Sequence, residues 1–128
     1  MKDNQNEQLF SELTPAEAAV VEGGLRLTID RIQAIKANAD FIGPDDTYIT
    51  VNGTRLGGEH SMSTGQTRDV NRSFTGPGSS LNVQLFDADP GNDDRLGGFN
   101  AVNTAGVQRR VRVSGSGSIY DVYYRATA

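Results

Sequence analysis

The chain has 128 residues, a formal net charge of −4, fifteen glycines and no cysteine. That length accommodates one domain with a modest core, and the lack of cysteine excludes disulfides, zinc–thiolate sites and a thiol nucleophile. No apolar run reaches the length of a membrane span, and no general basic surface for nucleic acid emerges, because residues 25–128 carry eleven bases against eleven acids.

The acidic balance belongs to the first 24 residues, which hold Lys2 against Asp3, Glu7, Glu12, Glu17 and Glu22. Residues 1–8 are polar and read as a disordered start. Thr14-Pro15-Ala16-Glu17 then opens a helix expected over about 14–22, with Thr14 as N-cap, Pro15 at the first helical position and Glu17 completing a capping box. Gly23-Gly24 ends it, since glycine accepts a left-handed C-cap. Counting back from Gly24, the apolar residues Val21, Ala18, Leu13 and Phe10 fall roughly on one helical side. This pattern resembles the double-glycine leader of bacteriocin and microcin precursors. The resemblance implies a peptidase-containing ABC transporter that grips the leader and cuts after Gly24, leaving a secreted bacterial domain of residues 25–128. A Sec-type signal is not expected, because a basic start and a continuous apolar core are missing.

From Leu25 the pattern changes to short strands. Leu25, Leu27 and Ile29 alternate, and Ile32 breaks parity, which predicts a bulge near Asp30-Arg31 or a strand buried on both faces. Ile49 and Val51 lie on one side of a second strand, followed by the hairpin turn Asn52-Gly53. Further strands are expected near residues 67–74 and 96–102. Leu81, Val83 and Leu85 define a one-sided strand; Val107, Val111 and Val113 define another, with Gln108, Arg110 and Arg112 opposite. Residues 119–124 form the last. Turn signals stand at Gly57-Gly58, Gly76-Pro77-Gly78 and residues 114–118. Seven or eight short strands spaced in this way indicate an all-β, antiparallel β-sandwich.

Two runs interrupt these strands: Asp40-Phe41-Ile42-Gly43-Pro44-Asp45-Asp46 and Asp87-Ala88-Asp89-Pro90-Gly91-Asn92-Asp93-Asp94. Like charges at this density repel one another, so a fold that gathers both loops needs a cation between them or must protonate some carboxyls. Oxygen-only ligands on flexible loops suit a hard ion, of which calcium is the usual one. Asp40, Gly43, Asp46 and Tyr48, with Asp87-Ala88-Asp89 and Asp94-Arg95-Leu96-Gly97, resemble the two ion-binding loops of the C2 domain, a sandwich of calcium-dependent phospholipid-binding proteins. The similarity spans roughly residues 31–99; the interval from Asp89 to Asp94 is one residue shorter than in the best-known members. It implies that Asp40, Asp46, Asp87, Asp89 and Asp94 supply side-chain oxygens to one or two calcium ions. Asp45 and Asp93 would act as substitutes or outer ligands, and the carbonyls of Phe41 and Ala88 could complete the shell. It also implies a membrane tip at Phe41 and Ile42.

No catalytic residue is expected. A serine nucleophile would need the single histidine, His60, as its base together with a positioned acid, and no serine lies in an activating turn. Arg55-Leu56-Gly57-Gly58 and Arg95-Leu96-Gly97-Gly98 repeat four letters and read as two glycine turns or bulges. Arg109, Arg110 and Arg112 could meet an anionic lipid or another acidic partner. The expected protein is a secreted calcium-binding C2-like module. The alternatives are a bacteriocin-like effector, toxin or inhibitor whose sandwich presents a protein-binding surface, and a calcium-dependent phospholipid binder.

Overall fold

The computed structural model of the protein describes residues 23–40 and 43–128. The expected leader helix and the tip at Phe41 and Ile42 lie outside the described residues. Nine strands follow in order: β1 (Gly24–Lys36), β2 (Asp45–Val51), β3 (Thr54–Arg55), β4 (His60–Met62), β5 (Thr67–Pro77), β6 (Ser80–Asp87), β7 (Asp94–Val102), β8 (Arg109–Gly115) and β9 (Ser118–Thr127). Seven are the strands legible from alternation. The short β3 and β4 are additional, and both pair with β2.

The strands form two antiparallel sheets, one in the order β5-β1-β9-β8 and the other β3-β2-β6-β7 with β4 beside β2. Period-two patterning faces the sheets toward each other. Leu25, Leu27, Ile29, Ile32, Val122 and Ala126 come from the first sheet; Ile49, Val51, Leu81, Val83 and Leu85 come from the second. Burying each of these side chains stabilises the sandwich by about 1.5–3 kcal/mol before the entropy of ordering is counted.

The parity break in β1 is a bulge. Register shifts between Ile29 and Arg31 against both β5 and β9, which returns Ile32 to the core face. Two tight hairpins have positive φ at both central residues: Asn52 (49°) and Gly53 (82°) after β2, and Ser116 (53°) and Gly117 (86°) between β8 and β9. Such turns match the right-handed twist of the strands they join.

Val107 departs from its expected place. It is exposed and precedes β8, because the chain turns at Ala105-Gly106 and the Val107 N–H donates to the Thr104 carbonyl at 3.0 Å. Val111 and Val113 do turn inward on β8.

The sheets close on each other where β7 meets β8. A Cβ placed on Gly115 would lie 2.5 Å from the Arg95 carbonyl oxygen, and one on Gly97 would lie 2.7 Å from the Ser114 nitrogen. Backbone approaches backbone here, so neither contact can be relieved by a rotamer change. Gly115→Ala should therefore destabilise the fold by about 1–3 kcal/mol, measured as a lowered urea midpoint. An unchanged midpoint would contradict this close approach.

Candidate metal centre

Strand direction gathers the acidic loops. The first joins the end of β1 to the start of β2, and the second joins the end of β6 to the start of β7. Since β2 pairs with β6 and β6 with β7, register places Thr47 opposite Asp87 and Asp87 opposite Asp94. All four strand ends therefore meet at one end of the sandwich. Gly43 and Gly91, with φ of 91° and 103°, turn the loops through backbone conformations that favour glycine.

Four carboxylates converge there. Asp40, Asp87, Asp89 and Asp94 each offer an oxygen, and these oxygens all lie within 4.8 Å of one another. Asp87 has no exposed surface. Its Oδ1 accepts from the Asp46 N–H at 2.6 Å, whereas its Oδ2 has no hydrogen-bond partner among the described residues. Burial, reinforced by the neighbouring Asp40 and Asp89 and partly offset by the Asp46 N–H, pushes the Asp87 carboxyl up to about 7. Asp89 is also raised, by desolvation and then by Asp40; Asp94 is raised chiefly by Asp89. This donor set consists only of carboxylate oxygens, one of them buried and unpartnered, and such a set fits a hard cation.

Three other predicted residues are placed differently. Asp46 lies on β2, where its N–H donates to Asp87 and its carbonyl accepts from the Ala88 N–H at 2.9 Å; its carboxylate is not among the converging four. Asp45 is buried and turned inward. Its Oδ1 accepts from the Ala39 N–H at 3.1 Å, and its Oδ2 accepts from Ser118 Oγ at 2.7 Å and the Tyr120 hydroxyl at 2.9 Å. Asp93 closes its own loop, accepting from the Tyr48 hydroxyl and, at 3.1 Å, from the Asp89 N–H. The Tyr48 bond holds its pKa below the ordinary value. The outer-ligand role expected of Asp45 and Asp93 is thus replaced by loop closure, because other partners occupy their oxygens.

Sequence reasoning missed the supports of these loops. Ser118 Oγ accepts from the Asn38 N–H at 2.8 Å while donating to Asp45, so the start of β9 pins the first loop twice. Tyr120 also meets Thr47 Oγ1 at 2.8 Å within the core. A signal was present: Ser118 and Tyr120 share the inward parity of Val122 and Tyr124, and polar groups on a core face require partners. Tyr48 stacks on Phe86 with centroids 5.4 Å apart, and the Arg55 guanidinium carbon lies 3.7 Å from its ring centroid. Burial together with Arg68 and Arg72 holds His60 below its ordinary pKa.

No family model and no curated protein sequence matches the chain. Solved structures do. The chain is similar to "Structure of a C2 domain" with a TM-score of 0.56 and 21% identity, over 82% of this chain and 98% of that one. It is similar to the two calcium-bound C2 domains of Extended-Synaptotagmin 2 with a TM-score of 0.54 and 18% identity, over 82% of this chain and 45% of that one. Human GIVD cytosolic phospholipase A2 matches with a TM-score of 0.52 and 16% identity, over 80% of this chain. Only 16% of that enzyme is covered, so the likeness concerns a small part of it. The chain has a C2-like fold.

Asp87 links pH to the stability of the ion-free protein. Its folded value of about 7 exceeds the ordinary 3.8, so the folded state retains a proton that the unfolded chain releases. The resulting stability is fully present below 3.8 and lost as pH rises through about 7. Urea denaturation in chelator should therefore show stability falling across this window, with a shallower slope in Asp87→Asn. Equal slopes in the two proteins would contradict the assignment.

Proposed function

We propose that this protein is a calcium-binding C2-like module that acts by binding rather than by catalysis. The convergence of four carboxylates around the buried, unpartnered Asp87 Oδ2 carries this reading. Asp40, Asp87, Asp89 and Asp94 would hold the ion, with Asp46 at the edge of the group. Calcium suits them better than magnesium, because it takes more oxygens in a less demanding geometry. When bound, it supplies positive charge that offsets the mutual repulsion of the carboxylates and ties the two loops together.

The same reading includes export. We propose that residues 1–24 are a leader removed by a peptidase-containing ABC transporter and that the domain works outside a bacterial cell. The position of the core supports this division: every buried apolar residue of the described chain lies at or beyond Leu25. Removal through Gly24 would cost the sandwich only the Gly24–Pro77 pairing and the bond from the Gly78 N–H to the Gly23 carbonyl. Translocation in low cytosolic calcium would precede locking of the loops outside.

Calcium should raise the melting temperature of the full chain above its value in chelator, by about 2.7 kcal/mol of added stability at a hundredfold excess over Kd. Magnesium should do much less, and Asp89→Asn should remove most of the calcium effect. An identical melting temperature with calcium and with chelator would rule out the site. Intact-mass measurement of protein recovered outside the producing cell should show a chain starting at Leu25; recovery of only the full-length mass would rule out the leader.

A further inference from the structure

Seven of the eleven acids of residues 25–128 lie in the two acidic loops, leaving Asp30, Glu59, Asp69 and Asp121 against eleven bases elsewhere. The domain is therefore a strong dipole, acidic at the loop end and cationic over its body. The outer face of the β5-β1-β9-β8 sheet shows the cationic side. Across its strands, Arg110 is in register with Tyr123 and Tyr123 with Arg31, and the Arg31 guanidinium carbon lies 4.1 Å from the Tyr123 ring centroid.

A basin of about 470 Å³ opens on this face near the start of β1, whereas the acidic loop follows the end of that strand. Arg26, Thr28, Asn71, Ser73, Arg125 and Thr127 line it. Its shape follows from the backbone. Asn71 has a φ of 49°, and register slips on both sides of β1 at this level; bulges of this kind bend strands and increase their twist.

The donors are arranged in advance. The bulge residue Asp30 accepts from Arg125 Nη2 at 2.7 Å and from Nε at 3.1 Å. Gln108 Nε2 donates to Asp30 Oδ2 at 2.9 Å, so both carboxylate oxygens are occupied. Asp30 therefore orients Arg125, and the Arg125 Nη1 donors have no partner among the described residues. Thr28 Oγ1 and Ser73 Oγ lie 2.8 Å apart. A hydroxyl pair uses one proton for its mutual bond, which leaves the second O–H free to donate elsewhere. Arg26 is exposed at the rim and, by register, neighbours Thr127 and Thr75.

We propose that this basin binds a tetrahedral oxyanion, phosphate or sulfate, either free or as the phosphomonoester headgroup of a lipid. Donors from three strands approach from several directions, which suits a tetrahedral acceptor better than a planar carboxylate. Guanidinium groups form their strongest hydrogen bonds to such oxygens. The inference is independent of the metal centre.

The test is calorimetric titration of the full chain in chelator, at constant ionic strength, with inorganic phosphate and with inorganic sulfate. Parallel sedimentation uses phosphatidylcholine vesicles with and without phosphatidic acid. Saturable binding of one anion per chain is expected. Arg26→Gln should weaken it about tenfold or more, as expected for one charge-assisted hydrogen bond. Ser73→Ala should weaken it less, and Arg109→Gln, an exposed change on β8 outside the basin, should leave it unchanged. Binding only to vesicles containing phosphatidic acid, lost in Arg26→Gln, would assign the headgroup as the source. No binding to any probe would overturn the proposal, as would equal weakening by Arg26→Gln and Arg109→Gln, which marks a diffuse field.

Discussion

A buried carboxylate at a crowded strand end governs the loop end of this molecule. Asp87 ends β6 with no exposed surface, one oxygen held by the Asp46 N–H and the other without a partner among the described residues. Three more carboxylates reach into the same space. Taking a carboxylate out of water is costly, and placing others beside it raises that cost. The cluster must retain a proton or gain a cation. The strongly raised pKa of Asp87 and the proposed calcium site are two answers to the same electrostatic constraint.

The surroundings keep that constraint in place. Asp45 receives donors from Ala39, Ser118 and Tyr120, so the first loop is tied to β9 across the core. Asp93 receives the Tyr48 hydroxyl and the Asp89 N–H, so the second loop is tied to β2 and to itself. These two residues are chemically identical to the converging four but do different work. Their oxygens are occupied by neutral donors, and the clustered oxygens are left facing one another. A framework of this kind orders the loops ahead of any ion and lowers the entropy lost on binding.

Most of the fold was legible in the residues. Leu81, Val83 and Leu85 alternate without interruption and form the inner face of β6. The parity break at Ile32 marked a real bulge, and Asn52-Gly53 marked a real hairpin. The two Arg-Leu-Gly-Gly segments mark a turn at Gly57 and the close approach at Gly97, both with positive φ. Val107 misled because a valine near a strand fits the alternating pattern equally well inside or outside it; backbone bonds of the preceding turn decided its place. The short β3 and β4 carry too few residues to show a period, and they exist because the edge of β2 offers them a partner.

By itself the amino-acid order determined which residues alternate, where the chain turns and that seven aspartates crowd two loops, since these depend on neighbours within a few positions. It also gathered both acidic runs at strand ends. Only tertiary structure decided which aspartates share a space. Side-chain direction at a strand end depends on register with another strand and on the donors that strand brings: β9 turns Asp45 inward, and Tyr48 captures Asp93. The same holds for the arginine basin, whose donors lie far apart along the chain and meet because a bulge bends one sheet.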